Sequence, residues 1–249
     1  MGALAAASLL LSSGDVRVSW VDAAGAELRG RLDVSWSVAF ERAAPVRAFG
    51  SFQGQRSFQG SWWFATTGGH VGFESWLERD VLMALDFDAD VVAASSQPFW
   101  LSWTTTDGTR RHAPDFFARL SDGSALVVDV RADERVGAVD AEVFAVTARA
   151  CESVGWRYQR RGALGPVLEA NLRWLSGYRH ARCHVPRVGN RLVEQLAVPM
   201  PLAEAVALVG DRLAVLPTLY HLLWRRVIDA DLLSEPLSAA TVLTRGRSA

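Results

Sequence analysis

Lysine is absent from this chain, and all 26 of its basic residues are arginine. No mechanism that requires a lysine amine from the protein can therefore operate. Only two cysteines are present, Cys151 and Cys183, which argues against a disulfide framework. The sequence also lacks the run of ~18 apolar residues that a membrane span needs, and its apolar start has no basic segment typical of a signal peptide. These absences predict a soluble, cytoplasmic protein with no membrane partner and a loose N-terminus.

The overall charge carries no sign of a nucleic-acid partner, because the net charge is −1 and the pI is near 6.5. Any such binding must come from a local patch. One candidate patch runs from Trp156 to Leu192, where eight arginines are accompanied by a single acid, Glu169. It favours contact with phosphates, and a solvated arginine-rich surface is the alternative.

Hydrophobic periodicity predicts a mixed α/β chain. Residues 16–36 alternate around the turn "DAAGAE" and predict an N-terminal β-hairpin, whereas residues 47–72 are too rich in Gly, Ser and aromatics for a regular element. From Phe73, the stretch "FESWLERDVLMALDF" takes up helical periodicity. Three strands, a helix and a last strand are predicted next, over residues 97–105, 110–120, 124–132, 137–154 and 156–161.

The remainder of the chain, after about Gly162, is predicted to be helical. Its last two helices are followed by "ADLLSEPLSAATVL", which has the outline of a winged-helix unit. The resulting domain boundaries are residues 1–48 for an N-terminal β extension, 49–163 for an α/β domain and 164–249 for a helical, winged-helix-like domain.

Three acids from separate predicted elements are candidate ligands of a divalent metal ion. Glu78 (or Glu74) lies on the first helix, Asp115 on the second strand and Asp129 on the third. Mg²⁺ prefers carboxylate oxygens and water. The trio "P-D … D-x-R" matches the nuclease pattern Pro-Asp … Asp/Glu-x-Lys except at its last position, Arg131.

Strand register decides whether these acids share a face. A two-residue turn at Asp122-Gly123 would pair Asp115 with Val130 and direct Asp129 to the opposite face. A shift of one residue pairs Asp115 with Arg131 and Phe117 with Asp129, so that both acids and the arginine lie together. We therefore expect the shifted register, with Leu126, Val128 and Val130 forming the buried face.

Other motifs are weaker. The "HARCH" stretch, His180 to His184, could be a metal cluster, but it lacks a second pair of ligands. No nucleotide-binding loop, dinucleotide fingerprint or nucleophile elbow is present.

Several stretches together resemble the TnsA-like endonuclease subunit of heteromeric transposases, in its actinobacterial form. They are "FQGQRSFQGSWWFATTGGHVGFESWLERDVLMALDFDADVV", "SSQPFWLSW", "HAPDFFARLSDGSALVVDVR" and "NLRWLSGYRHAR". The resemblance implies a restriction-endonuclease-like domain with an αβββαβ core, followed by the winged-helix-like domain. It also implies Mg²⁺- or Mn²⁺-dependent cleavage of one strand at each transposon end. The implied partners are the end DNA, a DDE-type transposase and an AAA+ regulator, in a prokaryotic cytoplasm and on the nucleoid when bound to DNA.

The resemblance also assigns residues. It implies that Glu78, Asp115 and Asp129 bind the metal and that Arg131 takes the place of the usual lysine. Arginine keeps the positive charge but cannot act as a general base, since its pKa exceeds ~12. The candidate DNA-binding and accessory residues are Arg160, Arg161, Arg173, Arg179 and Arg182, and Glu74, Gln97 and His112.

Three hypotheses follow from the sequence. The first is an active nuclease subunit. The second is a catalytically silent DNA-binding and assembly subunit of the same complex. The third, a winged-helix regulator, leaves the αβββαβ half without a role.

Overall fold

The structure is a computed structural model that describes residues 16–47 and 58–246. The predicted loose start, residues 1–14, and part of the predicted irregular segment lie outside the described residues. The chain divides into two compact units. Unit 1 contains residues up to 60, 71–78 and 92–162, and unit 2 contains residues 61–70, 79–91 and 163 to the end. The mixed α/β class predicted from periodicity is confirmed.

From residue 17 to residue 161 the chain forms ten β-strands and three α-helices, and the first and the last of these elements are strands. They are β1 (Arg17–Val21), β2 (Glu27–Arg31), α1 (Leu32–Ser35), β3 (Gly60–Phe64), β4 (Gly69–Phe73), α2 (Trp76–Phe87), β5 (Val91–Ser96), β6 (Trp100–Thr105), β7 (Gly108–His112), β8 (Phe116–Leu120), β9 (Ala125–Val130), α3 (Ala138–Ser153) and β10 (Arg157–Arg161).

Two four-stranded sheets organise unit 1, with strand orders β2-β1-β6-β7 and β10-β9-β8-β5. The predicted N-terminal hairpin is β1 and β2, and because β1 pairs with β6 it belongs to a sheet of unit 1. In the second sheet β8 and β9 are antiparallel, whereas β9 and β10 are parallel. The helix predicted over residues 137–154 is α3, which connects these two parallel strands.

Three strand predictions need correction. The strand predicted over residues 110–120 is two strands, β7 and β8, in different sheets, because Pro114 cannot donate to a ladder and the chain leaves one sheet there. Strand β5 was missed. The segment predicted to be irregular contains the β3-β4 hairpin, and its residues 48–57 lie outside the described residues.

The β8-β9 hairpin has neither of the two registers considered from sequence. Phe116 pairs with Val128 and Phe117 with Val127, so the ladder continued by one residue sets Asp115 opposite Asp129. The loop is three residues long and ends at Gly123, whose φ of 82° is the left-handed conformation that such a loop requires. The predicted pairing of Asp115 with Arg131 is therefore wrong, but the two acids do lie opposite one another.

Both faces of strand β9 are buried. Leu126 and Val128 are covered, as expected, but so are Val127 and Asp129 on the other face. Val130, predicted to be buried, is partly exposed. Large aromatic side chains fill the unit 1 core, with Phe40 in edge contact with Phe99, Phe117, Trp20 and Trp156 at 4.8–5.7 Å between ring centroids.

Unit 2 combines helices with a small antiparallel sheet, β11-β13-β12. Its later elements are α4 (Pro166–Ser176), α5 (Pro186–Gln195), β11 (Met200–Pro201), α6 (Leu202–Val209), α7 (Arg212–Trp224), β12 (Ile228–Ala230) and β13 (Val242–Arg245). The unit has its own hydrophobic core, in which Leu175, Leu192 and Leu219 are fully covered. None of the helices in the described part of the chain is long and apolar enough to cross a membrane.

Candidate active site

A cavity of about 360 Å³ in unit 1 is lined by the four predicted catalytic residues, Glu78, Asp115, Asp129 and Arg131. Each of the three acids comes from a different part of the fold: Glu78 from the first turn of α2, Asp115 from the segment before β8, and Asp129 from the end of β9. The cavity is lined by Arg47, Glu74, Glu78, Trp100, Arg111, His112, Ala113, Asp115, Asp129, Val130, Arg131, Asp140 and Phe144.

Asp115 is the most perturbed acid of the cavity. Its pKa is raised well above the ordinary value, first by burial and then by the negative charges of Glu78 and Asp129. One carboxylate oxygen, Oδ2, accepts a hydrogen bond of 2.6 Å from the backbone N–H of Val130, which partly opposes this shift. Asp115 thus sits in a concentration of negative charge that a cation would relieve.

Asp129 is buried and has a hydrogen-bond partner on each oxygen. Nε2 of His112 lies 2.8 Å from Oδ1, and the Tyr158 hydroxyl donates to Oδ2 at 2.8 Å. Burial, followed by the charge of Asp129, raises the pKa of Tyr158, so this hydroxyl remains a donor. His112 and Tyr158 together fix the orientation of the Asp129 carboxylate.

Glu78 bonds to the chain just ahead of its own helix. Its Oε2 accepts from the Glu74 N–H at 2.7 Å and its Oε1 accepts from the Ser75 hydroxyl at 2.9 Å, so it helps to cap α2. Burial is the largest cause of its raised pKa. Glu74 instead forms an ion pair with Arg47 at 2.5 Å. Between the two candidate helix ligands, only Glu78 lies in the cavity without an ion pair among the described residues.

Arg131 does not contact the predicted acids. Its guanidinium donates to both oxygens of Asp140, at 3.1 and 3.2 Å, and its side chain is 46% exposed. Asp140 lies in the first turn of α3, where it also accepts from the Gly137 N–H. The lysine position of the nuclease pattern therefore holds a cation that is neutralised by a helix-start carboxylate.

Gln97, a candidate accessory residue, lies outside the cavity lining. It is buried, has a positive φ of 45°, and donates its backbone N–H to the carbonyl of Asp115. Its backbone carbonyl accepts from the Val46 N–H, while its side-chain Oε1 has no hydrogen-bond partner in residues 16–47 and 58–246. Gln97 acts on the site through the backbone, by holding the segment that carries Asp115.

The chemistry of the three carboxylates fits a hard divalent cation, since all six oxygens are of the kind that Mg²⁺ and Mn²⁺ prefer. In residues 16–47 and 58–246, however, no three His, Cys, Asp or Glu side chains are gathered as a metal-binding group. This holds for the acids of the cavity and for the "HARCH" stretch, where His180 stacks on Trp63 and His184 on His221.

The predicted DNA-binding arginines are divided between the units, and most are engaged within the protein. In unit 1, Arg160 pairs with Asp133 at 2.5 Å and Arg161 donates to Gln159. In unit 2, Arg173 pairs with Asp80 and Glu169, and Arg179 lies 4.2 Å over the Trp62 ring. Only Arg182 is exposed with a side chain that has no partner among the described residues.

Sequence reasoning missed four residues of the site: Arg47, Arg111, Asp140 and Tyr158. Tyr158 could have been found, because β10 runs parallel to β9 and alternation directs every second residue toward one face. Arg47 and Asp140 reach the cavity through tertiary contacts that no local pattern encodes.

Comparison with known proteins leaves the family open. No family model matches the chain, and no curated protein matches it.

Proposed function

We propose that this chain is a metal-dependent DNA endonuclease, the cleaving subunit of a heteromeric transposase that cuts one strand at each transposon end. The observation that carries the proposal is the cavity of unit 1, where Glu78, Asp115 and Asp129 arrive from three separate parts of the fold. Burial, followed by the charges of Glu78 and Asp129, raises the pKa of Asp115 there. The resemblance to TnsA-like subunits supplies the reaction and the partners, which are DNA ends, a DDE-type transposase and an AAA+ regulator.

The order of elements along the chain supports this proposal. In that order α2, β5, β8, β9, α3 and β10 give the αβββαβ succession of a restriction-endonuclease-like core, with β6 and β7 inserted between β5 and β8 and paired in the other sheet of unit 1. In unit 2 the succession α5, β11, α6, α7, β12, β13, with β13 central in the sheet, is compatible with a winged-helix-like domain.

In the proposed reaction, Asp115 and Glu78 present carboxylate oxygens to a divalent ion, and Asp129 is the third candidate ligand. When bound, such an ion supplies positive charge at the scissile phosphate and promotes attack by water. His112 and Tyr158 keep Asp129 in one orientation, and Gln97 holds the backbone that carries Asp115.

A catalytically silent assembly subunit is the second candidate, and specific contacts favour it. Arg131 is tied to Asp140, and both oxygens of Asp129 already have partners. Such a protein would bind DNA and its partner subunits without cutting.

An assay on transposon-end DNA separates the two candidates. The chain is mixed with its cognate transposase in Mg²⁺, Mn²⁺ or EDTA, and the ends of both strands are mapped. The nuclease proposal predicts a metal-dependent cut in the strand that the transposase leaves intact. Retention of the DNA complex without that cut under every metal condition would favour the silent subunit.

A further inference from the structure

The cations that line the site cavity are not equivalent. Among the described residues, Arg47 is paired with Glu74 and Arg131 with Asp140, and His112 is bonded to Asp129. Each of these basic groups therefore has its own carboxylate. Of the described residues that line the cavity, two acids, Glu78 and Asp115, and one arginine, Arg111, have no ion pair.

Arg111 is exposed and is held by an aromatic ring. Its guanidinium carbon lies 4.3 Å from the centroid of the Trp100 ring, within the range of a cation–π contact. The strand register accounts for this contact, because Arg111 pairs with Ser102 and Trp100 lies two residues along the same face of β6. The stacked indole orders the guanidinium without neutralising it.

The neighbouring arginine on β7, Arg110, offers a direct comparison, because it has an acidic partner. Arg110 is adjacent on β7 and faces the other side of the sheet, where it lies 3.6 Å from Glu142 and lines no part of the cavity. His112 shares that face of β7 by alternation, and it too has an acidic partner, Asp129. Arg111, on the opposite face of β7, has no acidic partner within the described part of the chain, although Asp115 and Glu78 line the same cavity.

We infer that Arg111, stacked on Trp100, binds a phosphate of the DNA substrate next to the carboxylates. The planar guanidinium presents paired N–H donors that match phosphate oxygens, and an aromatic platform reduces the rotamer freedom lost on binding. Arg111 would then supply the fixed positive charge that the lysine position supplies in the general nuclease pattern. This assignment rests on the proposed function.

Binding to a short fluorescein-labelled DNA duplex tests the inference. The assay uses Ca²⁺ in place of Mg²⁺ to suppress cleavage. Arg111→Ala is compared with Arg110→Ala, because Arg110 is paired with Glu142 and lines no part of the cavity. We expect Arg111→Ala to weaken binding roughly tenfold or more, the scale of one charge-assisted hydrogen bond, and to reduce the salt slope by about one. The Arg110→Ala control should remain within about twofold of wild type, and Arg111→Lys should retain part of the affinity.

A scan of single methylphosphonates identifies the phosphate. Neutralising one phosphate should weaken wild-type binding while causing no further loss in Arg111→Ala. If Arg111→Ala binds and cuts like Arg110→Ala, the assignment of Arg111 is wrong although the proposed function stands. If wild type neither binds nor cuts DNA, the proposed function fails and the inference fails with it.

Discussion

At the scale of single residues, Asp115 is the acid of the site whose negative charge is least favourable. It is held against the sheet by the Val130 N–H and faces two other carboxylates, and its pKa is raised by burial and by their charges. A group whose pKa is higher in the folded state binds more protons when folded, so its contribution to stability falls as pH rises above the unfolded value of about 3.8.

This sign gives a prediction for Asp115→Asn. The amide oxygen can still accept the Val130 hydrogen bond, and the variant carries no charge. Without added metal at pH 7, we expect it to melt roughly 2–4 °C above wild type, corresponding to about 1 kcal/mol in a domain of this size. The difference should shrink as pH is lowered toward 3.8. Thermal unfolding across this pH range measures it, and a gap that is constant with pH would contradict the electrostatic account.

The identities of the candidate acids could be predicted from sequence, but their partners could not. Glu78, Asp115 and Asp129 follow from residue type and their places on predicted elements, and all three line the cavity. The position of Arg131 depends on Asp140, nine residues away on another element, and on the conformation of the chain between them. A sequence motif does not show which of several carboxylates will pair with Arg131.

At the scale of elements, one buried amide joins helix α4 to the connection between β12 and β13. The Asn171 side chain donates to the carbonyls of Leu232 and Glu235 at 3.0 Å, and accepts from the Leu237 N–H at 2.8 Å. Its three bonds order a segment that has no regular structure of its own. A buried side chain with this many backbone partners is expensive to remove because those partners lose their hydrogen bonds.

We therefore predict that Asn171→Ala lowers the free energy of unfolding of unit 2 by roughly 2–4 kcal/mol. The matched control is Asn190→Ala, at an exposed position of helix α5, where the loss should stay near about 0.5 kcal/mol. Urea denaturation of the full chain, followed by circular dichroism, compares them. Equal losses for both variants would show that the Asn171 bonds do not stabilise the connection.

Element boundaries reveal where local patterns lose information. Helix α3 was predicted to within one residue at each end because Gly155, just past its C-terminal cap, is a helix stop signal and adopts the left-handed conformation that ends a helix. The β8-β9 register was missed because two loops differing by one residue have nearly the same sequence signature. The split between β7 and β8 depends on which sheet each strand joins, which is a tertiary choice.

At the scale of the whole molecule, the surplus of arginine between residues 156 and 192 is divided between the two units, because Arg160 and Arg161 belong to unit 1 and the later arginines to unit 2. The composition shows a local excess of positive charge. Ion pairs within each unit determine how much of that charge is left to contact DNA. Arg182 and Arg187 are exposed, and neither side chain has a partner among residues 16–47 and 58–246.

We predict that replacing Arg182 and Arg187 together with alanine weakens binding to all DNA sequences and reduces the salt slope by about two, since each arginine neutralises one phosphate. The control is the pair Arg160→Ala and Arg161→Ala, where the change should be smaller because Arg160 is already bound to Asp133. Fluorescence anisotropy over a salt series gives both slopes. A larger change in the control pair would place the DNA-binding surface on unit 1 instead.

The central claim is that the cavity of Glu78, Asp115 and Asp129 is a metal-dependent centre for phosphodiester hydrolysis. Its most direct test is a strand-cleavage assay with Mn²⁺ that compares wild type, Asp115→Asn and Asp107→Asn, the last being an exposed acid in the β6-β7 turn. We predict cleavage by wild type and Asp107→Asn, abolished by EDTA, and a loss of roughly 10²-fold or more in Asp115→Asn. Cleavage by Asp115→Asn at the wild-type rate, or no Mn²⁺-dependent cleavage by wild type with its cognate transposase present, would contradict the claim.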